Sequence, residues 1–180
     1  MKKILLASLI GLSLTAGAAA LKTDPAKTSV TATFKQMNVP VDAKFTKHKV
    51  AIDYDAAKPE TSKATVEVET ASLDLGDADY NKEVAKKEWF NAAQFPKATF
   101  ISSAIKPAGA GKLTVTGKLT IKGKATDVTF PVTVKTEGGK QVFDGAVPIK
   151  RLAYGIGEGE WKDTSIVGDD VTIKFHVVSQ

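Results

Sequence analysis

The chain has 180 residues, 43% of them hydrophobic and 25% charged, with 25 basic against 20 acidic side chains, a net charge of +5 and no cysteine. Disulfides, thiolate metal sites and a cysteine nucleophile are therefore excluded, and an apolar core must hold the fold. The lysines are spread along the chain rather than gathered into one run, which favours a solvated surface over a nucleic-acid face.

The first twenty residues carry the marks of a secretory leader. Lys2 and Lys3 precede an apolar run over 4–14, and Ala18, Ala19 and Ala20 form a small-residue cleavage site. The apolar run is too short to span a bilayer as a helix. Cleavage after Ala20 leaves one domain over 21–180, a usual length for a single core. The short lysine-led leader points to the bacterial periplasm.

Beyond it, period-2 alternation dominates, which predicts half-buried strands. Weaker runs over 30–34 and 50–54 flank a run in the opposite phase, where Met37, Val39 and Val41 replace the even-numbered Val30, Ala32 and Phe34. That change predicts a bulge or bend near Lys35 and Gln36, and a second shift falls over 46–49. Ala64, Val66 and Val68 alternate with Thr65, Glu67 and Glu69. Asp77 or Asp79 then caps a short helix over 79–88, with Tyr80, Val84 and Trp89 on its apolar face. Pro96 blocks its continuation. Strands follow over 98–105, 113–122, 128–135, 143–149 and 171–177. Glycine-bearing turns over 107–111, 122–124 and 137–140 separate them.

About eight antiparallel strands with one short helix cannot remain an open sheet, because one helix cannot cover both faces. The sheet closes into a barrel or folds into a sandwich, and alternation alone does not separate the two. Tight turns between successive strands favour an up-and-down barrel.

Several segments in order decide the matter by likeness. These are 37–55 (MNVPVDAKFTKHKVAIDYD), 89–100 (WFNAAQFPKATF), 119–134 (LTIKGKATDVTFPVTV) and 151–161 (RLAYGIGEGEW). Together they resemble the YceI-like family, whose members are bacterial secreted proteins. The resemblance covers nearly all of 22–178. It implies an all-β, eight-stranded, antiparallel lipocalin-like β-barrel with one short α-helix. It also implies a binding or carrier role for an isoprenoid-type lipid, an isoprenoid quinone, a fatty acid or a related amphiphile. The family pattern reads Arg-Asp before its aromatic pair, whereas this chain has Lys87 and Glu88, so a head-group contact assigned to that pair does not carry over.

No catalytic constellation is visible, and the chain reads as a non-enzyme without cofactor or metal. His48 and His176 lack ligand spacing. No nucleophile elbow exists. Gly155, Gly157 and Gly159 precede no helix that would complete a phosphate loop, and Glu158 and Glu160 would repel phosphate. The remaining candidate is the barrel interior, set by Phe34, Phe45, Val66, Val68, Phe100, Val115, Leu119, Ile121, Phe130, Phe143 and Phe175. Ala32, Ala43, Ala64, Gly117 and Gly145 share this phase and either leave room for a thin ligand or fit the barrel's taper. Trp89, Phe90, Tyr154 and Trp161 combine apolar bodies with polar tips and suit a mouth. A filled-core adaptor acting through its surface is the first rival, and a barrel enzyme using Thr70 or Ser102 the second. Contact with a membrane surface and dimerisation through edge strands are compatible with the sequence and not demanded by it.

Overall fold

The computed structural model describes residues 19–180. The leader lies outside them except for Ala19 and Ala20. The alternating runs form β1 (Ala19–Leu21), β2 (Ser29–Gln36), β3 (Val39–Phe45), β4 (His48–Tyr54), β5 (Lys63–Glu69), β6 (Leu73–Asp74), β7 (Lys97–Pro107), β8 (Lys112–Ile121), β9 (Lys124–Glu137), β10 (Lys140–Lys150) and β11 (Asp170–Val178). Helix α1 (Ala78–Val84) stands between β6 and β7.

All eleven strands join one antiparallel sheet, in the order β1-β4-β5-β7-β8-β9-β10-β11-β2-β3-β6. Eight strands were expected, and the difference has a local cause. β3 and β4 are two halves of one strand bent at Thr46 and Lys47, the second phase shift seen in the sequence. β5 and β6 are likewise two halves, parted by a 3-10 turn over Thr70–Ser72. The bends are stitched together: Thr46 N donates to Ser72 O and Glu69 N to Lys47 O, each at 3.0 Å. β1 is a three-residue addition along β4. With the halves joined, successive strands are neighbours, and β11 returns to pair with β2 from Thr172–Thr33 to His176–Ser29. The two ends of the sheet order thus meet through bent strands, and the sheet curls into a barrel.

The first phase change is not a bulge. Gln36 pairs with Val39, and the intervening Met37 and Asn38 have φ of 50° and 65°. This is a two-residue hairpin of the type whose twist suits adjoining strands. Met37 and Val39 consequently stand exposed. The same turn geometry recurs at Lys122–Gly123 and Gly138–Gly139, as the glycines predict. A bulge does occur in β7, between Ser102 and Ala104.

Helix α1 is shorter than predicted. The Asp77 carboxylate accepts from Asp79 N and Tyr80 N at 2.8 and 3.1 Å, a side-chain N-cap. Past Val84 the chain breaks into turns, with Phe90 N bonded to Val84 O and Asn91 in the left-handed region at φ 49°. Tyr80 is largely exposed rather than part of a packed helical face.

Inward side chains form two apolar groups that divide along the strands. On β8, Leu119 and Ile121 belong to the group that includes Phe45, Val68 and Trp89. Leu113 and Val115 belong to the other, with Phe130, Phe143 and Val177. Each such side chain taken from water stabilises the fold by roughly 1.5–3 kcal/mol.

Candidate functional site

Between these two groups the barrel is hollow. A cavity of about 440 Å³ runs through it, lined by inward residues of strands all around the sheet. Phe34, Phe45, Val66, Val68, Phe100, Val115, Leu119, Ile121, Phe130, Phe143 and Phe175 all lie on its wall, as the alternation places them. Trp89, Phe90 and Trp161 line it too. Tyr154 does not. It is buried behind the wall, where its hydroxyl bonds Thr126 Oγ1.

The inward glycines work differently from small residues that merely leave space. A Cβ on Gly117 would lie 2.5 Å from Phe100 Cζ, and one on Gly145 would lie 2.2 Å from Phe175 Cζ. The bare backbone lets both rings lie flat against the wall. Phe130 packs edge-on against both, at centroid distances of 5.3 Å to Phe100 and 5.8 Å to Phe175. Aromatic rings covering glycine Cα positions are a known device of curved sheets. Here they keep the lumen open while hiding the strand backbone.

One end of the cavity is covered by α1, the turns after it and the segment from β10 to β11. Arg151 organises that segment. The side chain is 3% exposed, and all five of its N–H donors reach main-chain carbonyls: Nε to Gly168, Nη1 to Ile156 and Gly157, Nη2 to Trp161 and Val167. Burial pushes its pKa down and Asp169 opposes that, without the two forming an ion pair. The guanidinium carbon sits 5.8 Å from the ring centre of Trp89, a cation–π distance. Trp89 in turn meets Trp161 at 5.4 Å between ring centres. Gly157 is left-handed at φ 80°, and a Cβ there would strike Arg151 Nη1 at 2.1 Å. Its glycine identity is thus tied to the arginine.

A second cation pins the same segment from outside. Lys122 Nζ donates to Lys87 O and Gly155 O at 2.7 Å and to Glu158 Oε2 at 3.0 Å. The Glu88 carbonyl accepts from Gly157 N and Glu158 N. Lys87 and Glu88 therefore act through their main chain. Their side chains face outward in a loose pair at 3.8 Å.

The cavity reaches the surface beside α1. Gln36, Val41, Leu75, Tyr80 and Glu83 line this part, and Tyr80 is 57% exposed. β6 covers only Lys44 and Phe45 of the outer edge of β3, which leaves a gap between β3 and α1. Exposed Met37, Val39 and Ile166 flank the opening, and Met37 N bonds Ile166 O.

The rival chemical candidates are occupied structurally. Thr70 is wholly buried and donates from Oγ1 to Phe95 O at 2.7 Å. Ser102 Oγ accepts from Ala64 N at 2.8 Å. His176 pairs with Asp144 at 2.6 Å on the outer face, and His48 Nδ1 contacts Phe45 O at 3.2 Å. Among the described residues, no group of three or more His, Cys, Asp or Glu side chains converges as metal ligands would. Sequence reasoning missed Arg151, Ile156 and the mouth residues Gln36, Val41 and Leu75. A lone arginine after a strand carries no spacing signal, and the mouth depends on where two distant elements fail to meet.

A family model described as YceI-like domain matches residues 21–179. A UPF0312 protein of Pseudomonas fluorescens is 41% identical over 85 residues, 47% of this chain and 44% of that relative, so the chain spans less than half the relative's length in this match. Burkholderia cenocepacia BcnA is similar in structure, with 55% identity and a TM-score of 0.86 over 88% of this chain and all of that one. A polyisoprenoid-binding domain from Saccharophagus degradans, implicated in plant cell wall breakdown, shares the fold at 13% identity, with a TM-score of 0.70 over 91% of this chain and 98% of that one.

Proposed function

The chain belongs to the YceI-like domain family, and from that premise we propose that it binds and carries a long apolar lipid of the isoprenoid kind in the bacterial periplasm, without bond chemistry. The observation that carries this reading is the continuous apolar cavity through the barrel. Each methylene moved from water into such a lumen contributes about 0.8 kcal/mol, so a long tail is held tightly without a covalent link. The polyisoprenoid-binding domain of the same fold supports an isoprenoid chain over a compact ligand. An isoprenoid quinone, a fatty acid or a related amphiphile fits the same chemistry. The periplasmic assignment rests on the leader over 1–20. The opening between β3 and α1, flanked by exposed Met37 and Val39, is where cargo would pass to and from a membrane surface.

The test is mass spectrometry of the protein purified from its native compartment under non-denaturing conditions, followed by organic extraction. A stoichiometric apolar adduct supports the carrier. A clean unliganded mass, with no uptake of offered isoprenoid quinone or fatty acid, overturns it in favour of an adaptor that acts through its surface.

A further inference from the structure

Within a wall that is mostly apolar, with Gln36, Glu83, Thr99 and Arg151 among its polar members, one buried donor stands unused. Trp89 is 8% exposed and lines the cavity, and its indole Nε1 is buried with no hydrogen-bond acceptor in the protein. A buried N–H without a partner costs about 1–3 kcal/mol and calls for an explanation. Packing alone does not supply one, since a phenylalanine would fill much of the same space without the unmet donor.

The surroundings of Trp89 favour an oxygen. Arg151 lies at cation–π distance from the ring, and no carboxylate among the described residues lies within ion-pair distance of it. Its own donors are all taken by carbonyls, so it offers a ligand no hydrogen bond. What it contributes is a positive field at low dielectric, which polarises the indole N–H and attracts electron-rich atoms.

We propose that the Trp89 indole N–H anchors the polar end of the cargo by donating to an acceptor oxygen, a quinone carbonyl or a prenyl phosphate oxygen. This rests on the lipid-carrier reading above and adds a polarity to it. The head lies at the end covered by α1 and the Arg151 segment, and the tail runs toward Phe130 and Phe143.

Three probes of equal isoprenoid length test this with the full mature chain: a hydrocarbon, a quinone and a monophosphate. Trp89→Phe removes the same ring contact from every probe, so the oxygen-bearing probe should weaken about three- to tenfold more than the hydrocarbon, the range of one hydrogen bond. Selective loss of the quinone assigns a carbonyl; selective loss of the phosphate assigns an anion. Equal loss for all three, or none for any, overturns the anchor while the carrier stands. Failure of the wild type to bind any probe sinks both readings. A second readout keeps Trp89 in place. The chain has two tryptophans, so Trp161→Phe identifies the Trp89 indole N–H resonance. That resonance should move downfield with an oxygen-bearing probe and not with the hydrocarbon. An unchanged position with every bound probe refutes the anchor.

Discussion

Gly145 and Phe175 are direct partners across β10 and β11, and the phenylalanine ring occupies the space that a side chain on Gly145 would need. Gly145→Ala should drive that ring toward the lumen. The expected outcome is a loss of about 1–3 kcal/mol in stability, as for other overpacked cores, together with reduced cargo content. Adding Phe175→Leu should restore part of both. Urea midpoints and extracted lipid per mole of protein measure the two effects, and additive rather than compensating effects would show the contact to be incidental.

Arg151 donates to five main-chain carbonyls, those of Ile156, Gly157, Trp161, Val167 and Gly168. Arg151→Met strands them and should cost about 3 kcal/mol or more, since each unsatisfied buried group costs about 1–3 kcal/mol. Arg151→Lys keeps the charge but cannot reproduce a planar five-donor fork, so it should rescue little. Denaturant unfolding gives the answer, and a lysine variant of wild-type stability would contradict the assigned role.

Leu119 lies on the cavity wall and is 8% exposed. Leu119→Asp places a carboxylate where no partner waits, and it should abolish lipid retention. Val115→Trp should do the same by volume alone. Near-UV circular dichroism separates loss of cargo from loss of fold. Lipid retained in a folded Leu119→Asp variant would show the wall to be misassigned.

The contact between Lys122 and Glu158 should make the covering segment acid-sensitive. The Lys122 ammonium, through its hydrogen bond and then its charge, holds the Glu158 carboxyl below the usual glutamate range. A lowered folded-state pKa contributes stability that is complete above the unfolded value of about 4.3 and is lost as pH falls through the folded one. Urea midpoints of wild type and Glu158→Gln should therefore differ at neutral pH and converge as the pH falls through the lowered folded-state value. A difference that persists unchanged in acid would rule the pair out.

Met37 and Val39 flank the opening and are 73% and 62% exposed. Replacing both by serine should leave stability within about 0.5 kcal/mol, as surface changes do, and slow lipid uptake from vesicles. Transfer followed by a fluorescent isoprenoid tests it, and unchanged rates would place membrane contact elsewhere.

The strand phase was legible because burial on one face imposes a period that the residues must obey. Leu113, Val115, Leu119 and Ile121 state it without ambiguity. Met37 and Asn38 misled because a left-handed two-residue turn usually announces itself with glycine, and here it does not. The helix expected over 79–88 is longer than α1 because Val84 and Trp89 keep a helical spacing, whereas the carbonyls of Lys87 and Glu88 are taken by Lys122 and by Gly157 and Glu158 from distant parts of the chain. Gly117 and Gly145 were placed on the correct face, but their purpose depends on rings contributed by neighbouring strands. Arg151 was invisible because its partners are backbone carbonyls, which every sequence has.

Closure of the ring by β11 against β2 joins the two ends of the chain. Val178 N donates to Thr28 Oγ1 across 150 positions of sequence. Contacts of such long range are entropically costly to nucleate and form slowly. The hairpins from β7 to β10 are local and can form early, but they make only an open trough. The lumen has its full wall only with the C-terminal strand in place between β10 and β2, so the cavity depends on the last strand of the chain as much as on the first.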